Sequence, residues 1–397
     1  MVKNIDYNKL IDLVKKYKEI VNSCANKRNK KFWLNQQPWY RENWRGIPTA
    51  NFKKVPLIIN PEKQMWSYIL GINLTNYYSD PLEYLKQELK MGIYRFNNWN
   101  DNIYFDGSIC VFFSGFMETS FFGPKLKFFK NRSPILNESS KSLLTDKKYL
   151  SKMKIPDFYK SGLMPLIHKY YEVIKGILGG ELEVLFPNWT RGPFGIAMDL
   201  RGMENMLVDM VTDKVFVHNL MRYIVDSEKE WIKERKKFLK IDRYPLGQLL
   251  SDEIGAPMIS PNLYEELILP YEVELSEFQG GIEYWHSCNN TTPFYKLIKQ
   301  IPNLKMMHIS PWSDDKKAVE VFKGEVALDR CLDPVRDLFC ATKEEMKRRI
   351  IKIISDFGNI PRYFINLNAL MKVHNLEYDL NKIKEFLDVY CKIVEKK

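Results

Sequence analysis

The run Gly280-Gly-Ile-Glu-Tyr-Trp-His-Ser-Cys-Asn-Asn290 concentrates the side chains best suited to chemistry. His286 and Cys288 stand two apart at the end of an apolar stretch that reads as a strand. Side chains at i and i+2 of a strand leave by the same face, so imidazole and thiol emerge together. That pair suits zinc, and a catalytic zinc takes three protein ligands and keeps a fourth position open. On spacing alone, the pair reads equally as a packed imidazole beside a buried thiol. Cys331 and Glu253 rank equally as the third ligand, with His308 behind them. Cys331 follows the run Val326–Asp329, Glu253 follows Leu246–Ser251, and His308 lies near the end of Leu304–Ile309. The metal set is read as His286, Cys288 and Cys331.

Asp252 and Glu253 form a carboxylate pair at a strand end. Adjacent side chains diverge, so one of the two faces the centre. Enclosure raises a carboxyl's pKa and makes it a general acid or base; an exposed acidic turn is the alternative. With His308 they make the candidate catalytic set. Trp66, Trp99, Trp189, Tyr284, Trp285 and Trp312 include several aromatics near strand ends that could wall an apolar pocket. Trp189 and Tyr284, with the amides of Asn60 and Asn289, are the candidate substrate-binding residues. Arg41 and Arg45 could clamp an anionic group.

These residues need a frame that gathers strand ends. Eight short apolar runs alternate with longer helical segments: Val55–Asn60, Ser108–Phe113, Glu181–Phe186, Leu246–Ser251, Gly281–His286, Leu304–Ile309, Val326–Asp329 and Arg362–Asn366. Buried-type strands alternating with helices predict a parallel sheet, and eight such units predict a closed (β/α)₈ barrel. In that fold the carboxyl ends of the strands form the active-site mouth. Ser260-Pro261 starts one helix, and Thr342 with Glu345 forms a capping box that starts another. A single long helix is expected over Arg201–Phe238. The long gap between the second and third strands should hold loops over the mouth and a helix near Leu163–Leu178. Ahead of the barrel (54–397), residues 1–53 read as an amphipathic helix over 5–22 and an irregular arm.

Composition narrows the class. Hydrophobic residues make up 45% of the 397, enough for a large core and against disorder. No apolar run of about eighteen residues predicts a membrane span. The N-terminus has no secretory pattern, so a cytoplasmic location is expected. Six sparse, irregularly spaced cysteines do not form a disulfide framework. The formal charge of +11 comes from scattered lysines, clustered only at Lys27–Lys31 and Lys233–Lys240. Such clusters read as solvated faces, so neither nucleic acid nor membrane is an expected partner. A homodimer remains open.

Several stretches resemble the uroporphyrinogen decarboxylase superfamily. They are Val55-Pro-Leu-Ile-Ile-Asn-Pro61 with Trp66–Gly71, Gly192-Pro-Phe-Gly through Leu200-Arg-Gly202, and Met258-Ile-Ser-Pro-Asn-Leu-Tyr264 with Leu269-Pro-Tyr271. His286-Ser-Cys-Asn-Asn-Thr-Thr-Pro293 and His308-Ile-Ser-Pro-Trp312 complete the series, which runs over residues 55–370. The resemblance implies a (β/α)₈ barrel. Its decarboxylase branch implies an N-terminal arginine loop and no metal, which Arg41–Arg45 matches only loosely. Its corrinoid-linked methyltransferase branch implies zinc held by a His-x-Cys pair and a later cysteine. His286 and Cys288 match the pair. Tyr363-Phe-Ile-Asn-Leu-Asn368 stands where the later cysteine is expected, and Asn289 replaces a glycine.

The resemblance thus implies zinc-assisted methyl transfer between a small substrate, a methoxylated aromatic or a thiol, and a corrinoid. The chain has no Asp-x-His-x-x-Gly element, so the corrinoid would arrive on a separate corrinoid protein. The alternatives are a metal-free decarboxylase or lyase acting on an acidic substrate, and a non-catalytic barrel with a binding role.

Overall fold

The computed structural model describes residues 7–34, 46–49, 54–137, 142–358 and 360–394. Each of the eight expected runs holds a parallel strand. These are β1 (Leu57–Pro61), β2 (Ser108–Cys110), β3 (Glu183–Leu185), β4 (Gly247–Leu250), β5 (Ile282–His286), β6 (Met306–Ile309), β7 (Ala327–Leu332) and β8 (Tyr363–Leu370). Six of them pair in the order β1-β8-β7-β6-β5-β4, and β2 pairs with β3.

Two seams join the six-stranded arc to the two-stranded panel. Beyond β3 the chain reaches β4 at Arg191 and Leu250, where Gly192 N–H donates to Leu250 O (2.9 Å) and Leu250 N–H to Thr190 O (3.0 Å). At the other seam, side chains supplement a single main-chain bond from Asn102 N–H to Leu57 O (2.8 Å). Leu57 N–H donates to Asn102 Oδ1 (2.9 Å) and Ile59 N–H to Asp101 Oδ2 (3.0 Å). The buried Arg95 holds Asp101 from behind at 2.7 Å.

Local signals set the helix ends. Ser260 caps the helix Pro261–Leu267, and the Thr342–Glu345 capping box opens Lys343–Phe357. The segment expected as one long helix, Arg201–Phe238, is broken twice: Pro193–Arg201 ends at its first residue, and Met203–Thr212 and Lys214–Leu239 follow as separate helices. Gly202 breaks the first junction with φ +84°, a conformation that glycine adopts without steric cost. Asp213 breaks the second, its carboxylate accepting from Phe216 N–H as the cap of the next helix. Met164–Leu178 fills the long gap as expected.

The described part of the N-terminal segment packs against the barrel. Helix Tyr7–Asn22 sets Tyr17 edge-on to Phe105, and buried Asn26 both donates to and accepts from the Phe105 backbone. Trp33 donates to Asn102 O at 2.8 Å and meets Phe364 edge-on. Together with Ile47 it joins Ile58, Met306, Ala327 and Phe364, which make an apolar floor at the strands' amino ends. Side chains alternate along each strand, so the residues two further on face the same interior. They are Asn60, His308, Asp329 and Asn366, and here the interior turns polar. Among the described residues, no helix is long and apolar enough to cross a membrane.

Candidate metal centre at the barrel mouth

Five strands that are neighbours in space supply the polar layer: Asn60 from β1, Asn366 from β8, Asp329 from β7, His308 from β6, and Tyr284 with His286 from β5. All are buried. Hydrogen bonds run through them without a gap. Asn60 donates to Asn366 Oδ1 (3.0 Å), and Asn366 donates to Asp329 Oδ1 (3.0 Å). The Tyr284 hydroxyl donates to Asp329 Oδ2 at 2.7 Å. The same hydroxyl lies 2.9 Å from His286 Nδ1 and 3.0 Å from His308 Nδ1. Buried polar groups of this kind are costly unless satisfied, so a network with this many partners fixes its members' positions.

Above this layer, His286 Nε2 is 3.3 Å from Cys288 Sγ, and the two imidazoles lie 4.0 Å apart between ring centres. His286, Cys288 and His308 each offer one ligand atom, and all three atoms lie within 4.8 Å of one another. Ligand atoms around tetrahedral zinc are spaced roughly 3.3–3.8 Å apart, given Zn–N near 2.0 Å and Zn–S near 2.3 Å. The His286–Cys288 pair has that spacing, and the third ligand atom lies within 4.8 Å of both, so two nitrogens and a sulfur are gathered as a zinc site would need. Cys288 is exposed, so the cluster opens to solvent on one side.

Asp252 sits at that open side. Its Oδ1 lies 3.2 Å from His286 Nε2 and accepts from the Cys288 N–H at 3.0 Å. Desolvation pushes its carboxyl pKa up, but the bond and charge of His286, the Cys288 side chain and Arg191 outweigh that and hold it well below the usual carboxylate range. With the side chain 54% exposed, water screens part of this effect.

A family model described as uroporphyrinogen decarboxylase (URO-D) matches residues 101–389. The chain belongs to the uroporphyrinogen decarboxylase family. Among solved structures, a methyltransferase from Methanosarcina mazei is similar, with a TM-score of 0.62 and 12% identity over 86% of this chain and 95% of that one. At that identity the likeness is one of fold. A search of the curated proteins found no match.

This uroporphyrinogen decarboxylase family chain gathers some of the residues singled out from sequence and disperses others. His286 and Cys288 meet, and the group they form includes His308, not Cys331 or Glu253. Cys331 lies inside β7, because the ladder to β8 continues through Cys331 and Leu332; its thiol points to Leu332 O at 3.5 Å. Glu253 turns aside to Arg191, which donates to its Oε1 at 2.6 Å and to Asp199 at 3.0 Å. Burial raises the Glu253 pKa against the pull of Arg191. Glycine at 195 lets this pair close, since a Cβ there would sit 2.9 Å from Glu253 Oε2.

Of the expected substrate-binding residues, Asn60 and Tyr284 lie in the buried polar layer. Asn289 ties its loop to the neighbouring one by donating to Asp252 O. Trp189 is a correction: it is buried among Phe121, Phe122 and Trp231 in the helical layer, where its apolar ring finds more contact than at a wet rim. Trp66 and Trp99 pack on each other, and Trp285 faces outward to Glu272. Trp312 alone of the six tryptophans and tyrosines considered is largely exposed, with Arg336 over its ring. Arg41 and Arg45 lie outside the described residues.

Sequence reading missed Asp329, Asn366 and Arg191. The first two had a signal, since each is a polar residue closing an apolar strand run. Arg191 had none, because its link to the mouth runs through Glu253, which is 62 residues away in sequence.

Proposed function

We propose that this family member is a methyltransferase in which His286, Cys288 and His308 hold zinc, and that methyl passes between a small substrate and a corrinoid borne by a separate protein. The convergence of those three ligand atoms within 4.8 Å at the rim of β5 and β6 carries the reading. Two imidazole nitrogens and one thiolate leave a fourth position for a substrate atom. When bound, zinc supplies a Lewis acid that lowers a thiol's pKa or polarises a donor's heteroatom.

The chain's own residues supply orientation. Tyr284 and Asp329 hold the imidazole rings from below. The Cys288 N–H binds Asp252, which steadies the loop that carries the thiol. Asp252, kept ionised at the open side, can accept a hydrogen bond from an incoming thiol and orient it. The candidate substrates are thiols and methoxylated aromatics. The decarboxylase reading has less support at the mouth, because Arg191 is committed to Asp199 and Glu253.

Elemental analysis of the purified protein tests this. One zinc per chain is expected in the wild type, falling well below one in Cys288→Ala and His308→Ala. A folded wild type without zinc, or full occupancy in both variants, would overturn the reading. Demethylation of free methylcobalamin by added thiols, followed by absorbance, checks the reaction class.

A further inference from the structure

We infer that Tyr284 is a positioning residue that sets the tautomer of both candidate histidine ligands, keeping a proton on Nδ1 of each ring and leaving Nε2 of each to face the mouth. A phenol has one proton to give and two lone pairs to accept with. Asp329 Oδ2, 2.7 Å from the Tyr284 oxygen, is a carboxylate acceptor and takes that proton. Asn366 supports the arrangement by donating its amide to Asp329 Oδ1 at 3.0 Å. Both remaining neighbours of the phenol oxygen, His286 Nδ1 at 2.9 Å and His308 Nδ1 at 3.0 Å, must then be donors. The Asp329 carboxylate also lies 3.6 Å from His308 Nδ1, and its charge favours a proton there.

The consequence falls on the other nitrogens. With Nδ1 committed, a metal can use only Nε2 on each ring. Nε2 of His286 is the atom beside Cys288 Sγ (3.3 Å) and Asp252 Oδ1 (3.2 Å). It carries either a proton shared with Asp252 or a metal; Nδ1 keeps its own proton in both cases. One hydroxyl thus orients two rings on two strands. A carboxylate behind a ligand imidazole is a common device, and here a single phenol links it to both rings. The use of this arrangement to hold zinc rests on the function proposed above, whereas the tautomer assignment does not.

Nitrogen–proton correlation spectra of the metal-free protein with ¹⁵N-labelled histidine decide the matter. Recorded at alkaline pH and assigned with single His→Gln variants, they should show Nδ1–H on His286 and His308. In Tyr284→Phe at least one of the two should move to Nε2–H. Zinc affinity, measured by competition with a chromophoric chelator, should fall about 10–100-fold, the usual loss when the outer partner of a metal ligand is removed. A wild-type ring that carries Nε2–H and lacks Nδ1–H overturns the inference, as do unchanged tautomers and unchanged affinity in Tyr284→Phe. The wild-type spectrum suffices if that variant does not fold. Both rings as Nδ1–H in a protein that binds no zinc would support this assignment and sink the zinc reading. Tight zinc binding with a ring that lacks Nδ1–H in the metal-free state would do the reverse.

Discussion

Replacing Glu272 by Gln should remove a pH-dependent weakness from the strand that carries the candidate centre. Glu272 is fully buried on helix Leu269–Gln279, behind β5. Its Oε2 accepts from Tyr264 Oη at 2.5 Å and from Trp285 Nε1 at 3.0 Å. Trp285 lies between Tyr284 and His286, so this carboxyl pins their strand from the outside. Desolvation raises its pKa from 4.5 to about 7, opposed by the two donors. The folded state therefore holds a proton that the unfolded chain releases, and stability falls as pH rises from about 4.5 to about 7. At roughly 1.4 kcal/mol per pH unit, the loss is about 1.4 kcal/mol near pH 5.5 and about 3 kcal/mol near pH 8.

Gln keeps an acceptor for Tyr264 and Trp285 but does not ionise. Any cost of its buried amide is independent of pH and cancels when the two conditions are compared. Urea denaturation of both proteins should show the variant gaining about 2 kcal/mol over wild type between about pH 5.5 and about pH 8. Other titrating groups, Glu283 among them, affect both proteins alike. A variant–wild-type difference that is the same at both pH values would refute the reasoning.

Two further outcomes follow from packing. Gly255→Ala places a Cβ in overlap with Asn289 Cβ and should displace the loop bearing Cys288; zinc affinity is expected to drop about tenfold while the melting temperature changes little, and unchanged affinity would contradict this. Trp33→Ala empties the barrel floor beside Phe364 and should destabilise the fold by about 3–5 kcal/mol in urea titrations, with a loss under about 1 kcal/mol counting against the floor's importance.

The barrel was legible because its strands are buried on both sides and so spell near-continuous apolar runs between amphipathic helices. The break at Asp213 was hidden by helical periodicity on both sides of it, although a capping residue type was itself in view. At the site, period-two spacing sufficed for His286 and Cys288. It could not choose among Cys331, Glu253 and His308, because that choice depends on how β4, β6 and β7 are staggered around the circle. The stagger puts His308 beside Asp329 in register and carries Cys331 two pairs further along the ladder to β8. Glu253 was lost to Arg191, a contact set by tertiary packing across 62 residues. Trp189 shows the limit of reading aromatics near strand ends: a ring that can reach a pocket can also turn into the core, and burial decides.

The two seams divide the labour of the wall. Each ligand candidate, together with Tyr284, Asp329, Asn366 and Asn60, belongs to the unbroken arc, where every strand is stitched to the next by main-chain bonds. The panel of β2 and β3 meets that arc through a handful of contacts at Arg191, Asp101 and Asn102. The long excursion between the panel's two strands contributes none of the three ligand candidates, whose positions are set by β5 and β6 within the arc. The side chains that would hold an ion and the loops that roof the barrel thus come from opposite parts of the wall.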